Sequence, residues 1–169
     1  MLSDVVLWTM VITVLYTDIK SRKIYNAVLV PAIILGLGIN IYHGGWDGLL
    51  FSGKGLMLGL LVFILPFVFG GLGAGDVKLL AAIGAIKGSL FVWQVALGSA
   101  VAGGVIALII LVTQKRFLSS MKDVWMSIYT LVLAKDARPL KTLDQAEYHE
   151  AFPYGVAIAV GTLVATLMG

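Results

Sequence analysis

Long apolar runs separated by short polar stretches make up most of the chain. A helix needs about 20 residues to cross the apolar core of a bilayer. The pattern predicts six apolar helices, at about 2–17, 26–42, 49–72, 76–86, 90–113 and 154–168. The run 76–86 is too short to span alone, so we expect it to be re-entrant, tilted or extended through Lys87 and Gly88. The pattern therefore predicts an all-α, polytopic membrane protein.

Composition supports this fold class. Of 169 residues, 60% are hydrophobic and 12% are charged, whereas soluble domains carry about 25% charged residues. We expect residues 1–169 to form a single membrane-embedded domain, and the first apolar run to be a retained helix, because no positive region precedes it. The chain has no cysteine, which excludes disulfides, zinc–thiolate sites and iron–sulfur clusters.

The segment 114–152 is the one long polar stretch. Apolar residues recur in its first part at helical spacing, around Trp125, while Lys122 and Asp123 take the other side. This pattern predicts an amphipathic helix lying in the membrane interface, with Trp125 as an anchor. The remainder mixes charges of both signs and predicts a solvated loop.

Basic residues predict the orientation of the helices in the membrane. If the loop after the first helix lies inside, Lys54 and Lys87 fall outside and the other ten basic residues fall inside. This excess agrees with the positive-inside rule, although six of the ten belong to the loop 114–152. We therefore expect both termini outside and the aspartates Asp18 and Asp76 at the cytoplasmic face of the inner membrane.

Elimination leaves two acidic residues as candidates for chemistry. Five of the nine acidic residues lie in the predicted inner loop, and Asp4 and Asp47 fall at the outer face. Asp18 and Asp76 remain, each at the inner end of an apolar run. A carboxylate at membrane depth is costly, by roughly 2.5–3.5 kcal/mol or more at the bilayer centre. Two of them at matching helix ends suggest a shared site.

Two carboxylates brought close together can share one proton. The charged member can take a proton from water while the neutral member donates one to a carbonyl oxygen or a leaving amine. This acid–base arrangement needs neither metal nor cofactor. Gly73 and Gly75, beside Asp76, leave space in which an extended substrate strand could lie. Irregular backbone at this depth survives when it is buried or faces a water-filled cavity.

Structural roles compete with this interpretation. Asp76 could be the N-cap of its helix, and Asp18 could be a counter-charge to Lys20 and its basic neighbours. Lys78 could be an interface anchor or a phosphate contact. Glycines at 36–38 and 98–104 indicate close helix packing. We find no Ser–His pairing, phosphate loop, metal-ligand cluster or nucleic-acid-binding patch.

The motifs around both aspartates resemble those of a known family. Gly73-Ala74-Gly75-Asp76 resembles the Gly-x-Gly-Asp signature of type IV prepilin peptidases. Asp18, followed by basic residues and Ile24-Tyr25-Asn26, resembles the family's first aspartate motif, with Tyr25 in the place of proline. Phe152-Pro153-Tyr154-Gly155 resembles the start of the family's last helix. The three matches occur in the family's order along the chain.

The resemblance implies an intramembrane aspartyl endopeptidase. It would cleave the basic leader from type IV pilin-like precursors at the cytoplasmic membrane face, with Asp18 and Asp76 as the catalytic pair. Gly73, Gly75 and Lys78 would lie beside the substrate. The size and lack of cysteine resemble the compact Flp/Tad-type peptidases, which lack the N-methylating domain. The implied partners are a prepilin substrate and the lipid bilayer.

Two other functions fit the pattern of apolar helices and acidic residues. Carboxylates at helix ends also bind ions or relay protons in small transporters. In a non-catalytic assembly subunit of a pilus or secretion system, the glycines would pack helices and the aspartates would only cap them. The order and spacing of the motifs favour the peptidase.

Overall fold

The described part of the chain is entirely helical. The computed structural model describes residues 1–113 and 154–168, and they form α1 (Leu2–Ser21), α2 (Asn26–Val68), α3 (Ala74–Thr113) and α4 (Gly155–Met168). Of these, α1, α2 and α3 are long and apolar enough to cross a membrane. The predicted all-α membrane fold is thus confirmed in outline. The amphipathic helix and loop predicted at 114–152 lie outside the described residues.

Helix α2 reverses direction at Gly45. This glycine has φ 55° and ψ −125°, a conformation open to it because it lacks a Cβ atom. Asn40 Nδ2 donates a hydrogen bond to Ser52 Oγ at 2.7 Å, although twelve residues of straight helix would separate them by about 18 Å. The two halves correspond to the helices predicted at 26–42 and 49–72, and one glycine replaces the longer turn expected between them.

Helix α3 reverses direction in the same way at Gly88, where φ is 81°. A Cβ added to Gly84 would lie 2.8 Å from Val92 Cγ2, whereas eight residues of straight helix span about 12 Å. The break is stabilised by Asn40, whose Nδ2 donates to the carbonyl oxygens of Ala85 and Ile86 at 3.2 Å. With both reversals the described residues contain six helical segments. That each segment crosses a bilayer stays a prediction.

The short segment 76–86 lies at the centre of the packed helices. Every residue in it is buried except Lys78, and the fully enclosed side chains include Leu79, Leu80 and Ile83. A helix that is apolar on all sides is stable when other helices surround it. This packing explains why the segment is shorter than a membrane crossing. Residues 103–113, at the end of α3, belong to a separate unit whose described part is helical.

Glycines allow the helices to pack with their backbones in contact. Gly55 faces Gly84, and a Cβ added to either would collide with the carbonyl group of the other. A Cβ added to Gly98 would lie 2.9 Å from the Cα atom of Gly161. Small residues give membrane helices this close approach. The packing role predicted for the glycine runs is confirmed at Gly98, whereas Gly38 has open space around it.

We expect Gly55→Ala to lower the free energy of unfolding by about 1–3 kcal/mol, because the added methyl group forces two backbones apart. Thermal unfolding in detergent micelles measures the change. Gly38→Ala is the matched control, since its methyl group meets open space. Equal stability of the two variants would contradict the packing described here.

Candidate active site

Asp18 lies at the end of α1 and is held by the beginning of α4. Its side chain is buried, with the residue only 6% exposed, and Oδ2 accepts a hydrogen bond of 3.0 Å from the backbone N–H of Gly155. Gly155 is the first residue of α4, so its N–H has no partner within its own helix. The positive end of the helix dipole also favours a carboxylate there. The hydrogen bond therefore gives both the Gly155 N–H and the Asp18 carboxylate a partner.

The lack of a side chain at Gly155 leaves room for the Asp18 carboxylate. A Cβ added to it would collide with Asp18 Oδ2 and lie 3.1 Å from Asp18 Cγ. On the other side of Asp18, Arg22 adopts the left-handed conformation with φ 51°, and its N–H donates to the Asp18 carbonyl oxygen at 2.8 Å. This bond ends α1 four residues after the carboxylate. Asp18 is thus fixed through both its backbone and its side chain.

Asp76 lies in the first turn of α3 and is 7% exposed. Its Oδ2 accepts a hydrogen bond of 3.0 Å from the backbone N–H of Gly73. The sequence suggested that Asp76 could be the N-cap itself. Instead it is the third residue of the helix and reaches back to the residue before it, as the carboxylate of a capping box does. Asp76 therefore caps α3, in a different position from the one predicted.

The two carboxylates lie at the same end of antiparallel helices. At one end of α1, Asp4 pairs with Lys87, which ends the buried segment of α3. Asp18 is fourteen residues from Asp4, and Asp76 is eleven residues from Lys87, so both aspartates fall at the opposite end. The structure thus places the two acidic residues selected from the sequence at the same end of these helices.

Tyr154 contacts two other helices at the beginning of α4. It directly precedes Gly155, the donor to Asp18, and its hydroxyl donates to the Ser99 carbonyl oxygen at 3.3 Å. Its ring packs edge-on against Phe63, with centroids 6.0 Å apart. The Tyr154 side chain thus joins the beginning of α4 to the helices that carry Ser99 and Phe63.

The other predicted site residues contact protein groups. Gly73 donates to Asp76, and Lys78 Nζ donates to Asn26 Oδ1 at 3.2 Å. A Cβ added to Gly75 would lie 2.9 Å from the Cβ atom of Ile24. The space that the sequence assigned to a substrate strand beside Gly75 is thus filled by Ile24.

The chemistry of the site is that of carboxylates. Among residues 1–113 and 154–168, no group of three His, Cys, Asp or Glu side chains could hold a metal ion. Sequence reasoning did not find the contacts of Ile24, Asn26 and Tyr154, or the role of the Gly155 N–H. The only signal for the last two was their place in the motif before the final apolar run.

Apolar helices long enough to cross a membrane, with a buried carboxylate at the end of α1 and another at the beginning of α3, are typical of a membrane protein. The model of the type IV leader peptidase family matches residues 5–108, which is more than half of the chain and includes Asp18 and Asp76. The chain therefore belongs to the type IV leader peptidase family, as the motifs predicted. No curated protein and no solved structure matches it significantly.

We expect Asp76→Ala to unfold more easily than Asp76→Asn, by about 0.5–2 kcal/mol, because only the asparagine keeps an oxygen that accepts from the N–H of Gly73. Thermal unfolding in detergent micelles compares the two variants. Asp47→Ala, at an exposed position of α2, controls for the loss of an aspartate. Equal stability of the Ala and Asn variants at position 76 would argue against the capping contact.

Proposed function

We propose that the chain is an intramembrane aspartyl endopeptidase that removes the basic leader of type IV pilin-like precursors. Asp18 and Asp76 are the catalytic residues of this proposal. The observation that carries it is the presence of two buried carboxylates at the same end of the packed helices, each held by a backbone N–H. Membership of the leader peptidase family supports the reaction class. The family match also covers both aspartates.

The mechanism we propose uses the two carboxyl groups in opposite protonation states. The charged carboxylate takes a proton from water, and the resulting hydroxide oxygen attacks the carbonyl carbon of the scissile peptide bond. The neutral carboxyl donates its proton to the carbonyl oxygen. When the intermediate collapses, the carboxyl that took the proton from water passes it to the leaving amine, the other carboxylate takes a proton from a hydroxyl group of the intermediate, and the C–N bond breaks. No metal or cofactor takes part.

Hydrogen bonding within the site suggests which oxygens act. Both backbone donors bind an Oδ2 atom, from Gly155 to Asp18 and from Gly73 to Asp76. We therefore assign the Oδ1 atoms of Asp18 and Asp76 to water and substrate. The backbone bonds restrict rotation of each carboxylate, which favours a productive orientation because positioned groups lose less entropy in the reaction.

The proposed location follows from the charges at the helix ends. Asp18 and Asp76 lie at the end of the helices opposite the Asp4–Lys87 pair, and we assign their end to the cytoplasmic face of the inner membrane. A pilin-like precursor would keep its basic leader in the cytoplasm and insert its apolar helix into the bilayer. Its scissile bond would then lie at the depth of the aspartates. Substrate contacts of Gly73, Gly75 and Lys78 remain predictions. In the structure these residues contact Asp76, Ile24 and Asn26.

We expect Asp18→Asn and Asp76→Asn each to lower the rate of leader cleavage by a factor of about 10²–10⁴, because each removes a positioned acid or base. A mobility shift of a co-expressed pilin-like precursor measures cleavage, and the amount of inserted enzyme controls for folding. Asp47→Asn should cleave normally. Full processing by either site variant would end the proposal, whereas loss of proton-coupled uptake in both would favour a transporter.

We expect Gly155→Ala to slow cleavage by about 10²-fold, because its methyl group would push the Asp18 carboxylate aside and misplacements of about 1 Å have effects of this size. The same precursor assay measures the change. Gly53→Ala is the control, since a Cβ atom there meets open space. A normal rate in the Gly155 variant would show that the bond from Gly155 to Asp18 is dispensable.

A further inference from the structure

Lys78 differs from its neighbours in the helix in being exposed. It is the one exposed residue in the buried segment 76–86, two positions after Asp76. Its Nζ atom donates a hydrogen bond of 3.2 Å to Oδ1 of Asn26. Asn26 is the first residue of α2. The bond therefore connects the beginning of α3 with the beginning of α2.

A second contact joins the same two segments. Ile24 lies in the turn 22–25 between α1 and α2, and its side chain fills the space beside Gly75, where an added Cβ would lie 2.9 Å from Ile24 Cβ and 3.3 Å from Cγ1. Gly75 directly precedes Asp76. One polar and one apolar contact thus hold the turn against the first helical turn of α3.

This turn is coupled to the other aspartate. Arg22 begins the turn, and its N–H is bonded to the carbonyl oxygen of Asp18 at 2.8 Å. A displacement of the turn would therefore pull on the end of α1 that carries Asp18. On the other side, Gly75 and Lys78 flank Asp76 in one helical turn. A path of contacts between the two aspartates therefore runs through the turn 22–25.

We propose that the hydrogen bond between Asn26 and Lys78 is a positioning contact that keeps Asp18 and Asp76 at their working separation. Among the described residues, the hydrogen bonds of the Asp18 and Asp76 carboxylates come from Gly155 and Gly73, and Lys78 is bonded to Asn26. Lys78 then acts on catalysis through the turn 22–25, a role distinct from the substrate contact predicted from the sequence. The inference rests on the proposed function of the two aspartates.

We expect the loss of this hydrogen bond to have a modest effect on the rate of cleavage. A single exposed hydrogen bond with one charged partner contributes modestly, and the contact of Ile24 with Gly75 persists without it. We therefore expect Lys78→Met and Asn26→Leu each to slow leader cleavage by roughly three- to tenfold. This is far less than the loss of a catalytic carboxylate, about 10²–10⁴-fold. Lys78→Arg keeps a donor and should stay close to the parent rate.

A double-mutant cycle tests whether the two side chains act together. The double variant should be no slower than the slower single variant, because both changes remove the same bond. Exchange of the pair, Asn26→Lys with Lys78→Asn, should restore most of the rate. Lys20→Met controls for the loss of a positive charge at the same end of the helices, since Lys20 Nζ donates to Tyr16 of its own helix. Multiplying effects, or no recovery on exchange, would overturn the proposal and assign Lys78 to the substrate.

A measurement independent of activity uses the lack of cysteine in the chain. Ile24→Cys with Gly75→Cys places two thiols side by side, within reach of a disulfide after a small shift. A membrane-permeable oxidant forms the bond, and a maleimide polymer added after denaturation counts the remaining thiols. We expect Lys78→Met or Asn26→Leu to slow this cross-link severalfold. An unchanged rate would overturn the proposal.

The matched control for the cross-link is Gly36→Cys with Ile86→Cys. It also joins a glycine and an isoleucine position, since a Cβ added to Gly36 would lie 3.0 Å from Ile86 Cα, but it is remote from the turn 22–25. Its cross-linking rate should not change in the Lys78→Met background.

Failure of this inference can be told apart from failure of the proposed function. If Asp18→Asn and Asp76→Asn still process the precursor, the peptidase proposal fails, and the cross-link alone still reports on the contact. If both aspartate variants are inactive while Lys78→Met cleaves and cross-links at the parent rates, the peptidase stands and the positioning contact falls.

Discussion

A carboxylate enclosed by apolar helices has to receive hydrogen bonds from the protein, because little water reaches it. Asp18 and Asp76 meet this requirement in the same way. Each accepts from a backbone N–H at the beginning of a helix, from Gly155 at α4 and from Gly73 at α3. These N–H groups have no partner in their own helices. The candidate site therefore forms where acidic side chains accept hydrogen bonds from the N–H groups at the beginnings of helices.

The packing of the helices brings those groups to one place. The reversals at Gly45 and Gly88 fold α2 and α3 back on themselves, and this leaves the short segment 76–86 surrounded by other helices. Backbone contacts such as that of Gly55 with Gly84 keep the helices close. A short, central helix can end inside the protein, which is what holds Asp76 away from lipid.

Three distant parts of the chain build the site. The end of α1 supplies Asp18, the beginning of α3 supplies Asp76, and the beginning of α4 supplies a donor and Tyr154. The turn 22–25 and the first residue of α2 connect the first two, through Ile24 and Asn26. The site thus depends less on any single strong interaction than on several modest contacts, each between segments that the fold holds together. This arrangement also explains why glycines lie beside both aspartates, since larger residues would occupy the space of Ile24 or of the Asp18 carboxylate.

The sequence by itself determined the helical segments and the two acidic residues of interest. Hydrophobic runs and their lengths are local properties that can be read from the sequence. The halves of α2 and α3 therefore correspond to the predicted segments 26–42, 49–72, 76–86 and 90–113. The turns expected between the halves of α2 and of α3 were too long. A single glycine with positive φ reverses each helix, and hydropathy carries no information about backbone angles. Asp76 does cap α3, as the sequence suggested, but from the third residue of the helix and not from the N-cap position.

Only the tertiary structure decided what the carboxylates contact. Gly155 lies 137 positions from Asp18, and nothing in the local pattern indicates that its N–H points at that side chain. The filling of the space beside Gly75 by Ile24, and the bond from Lys78 to Asn26, are likewise contacts between segments. Local sequence sets where helices begin and end, whereas the partner of a buried polar group depends on which helices pack together.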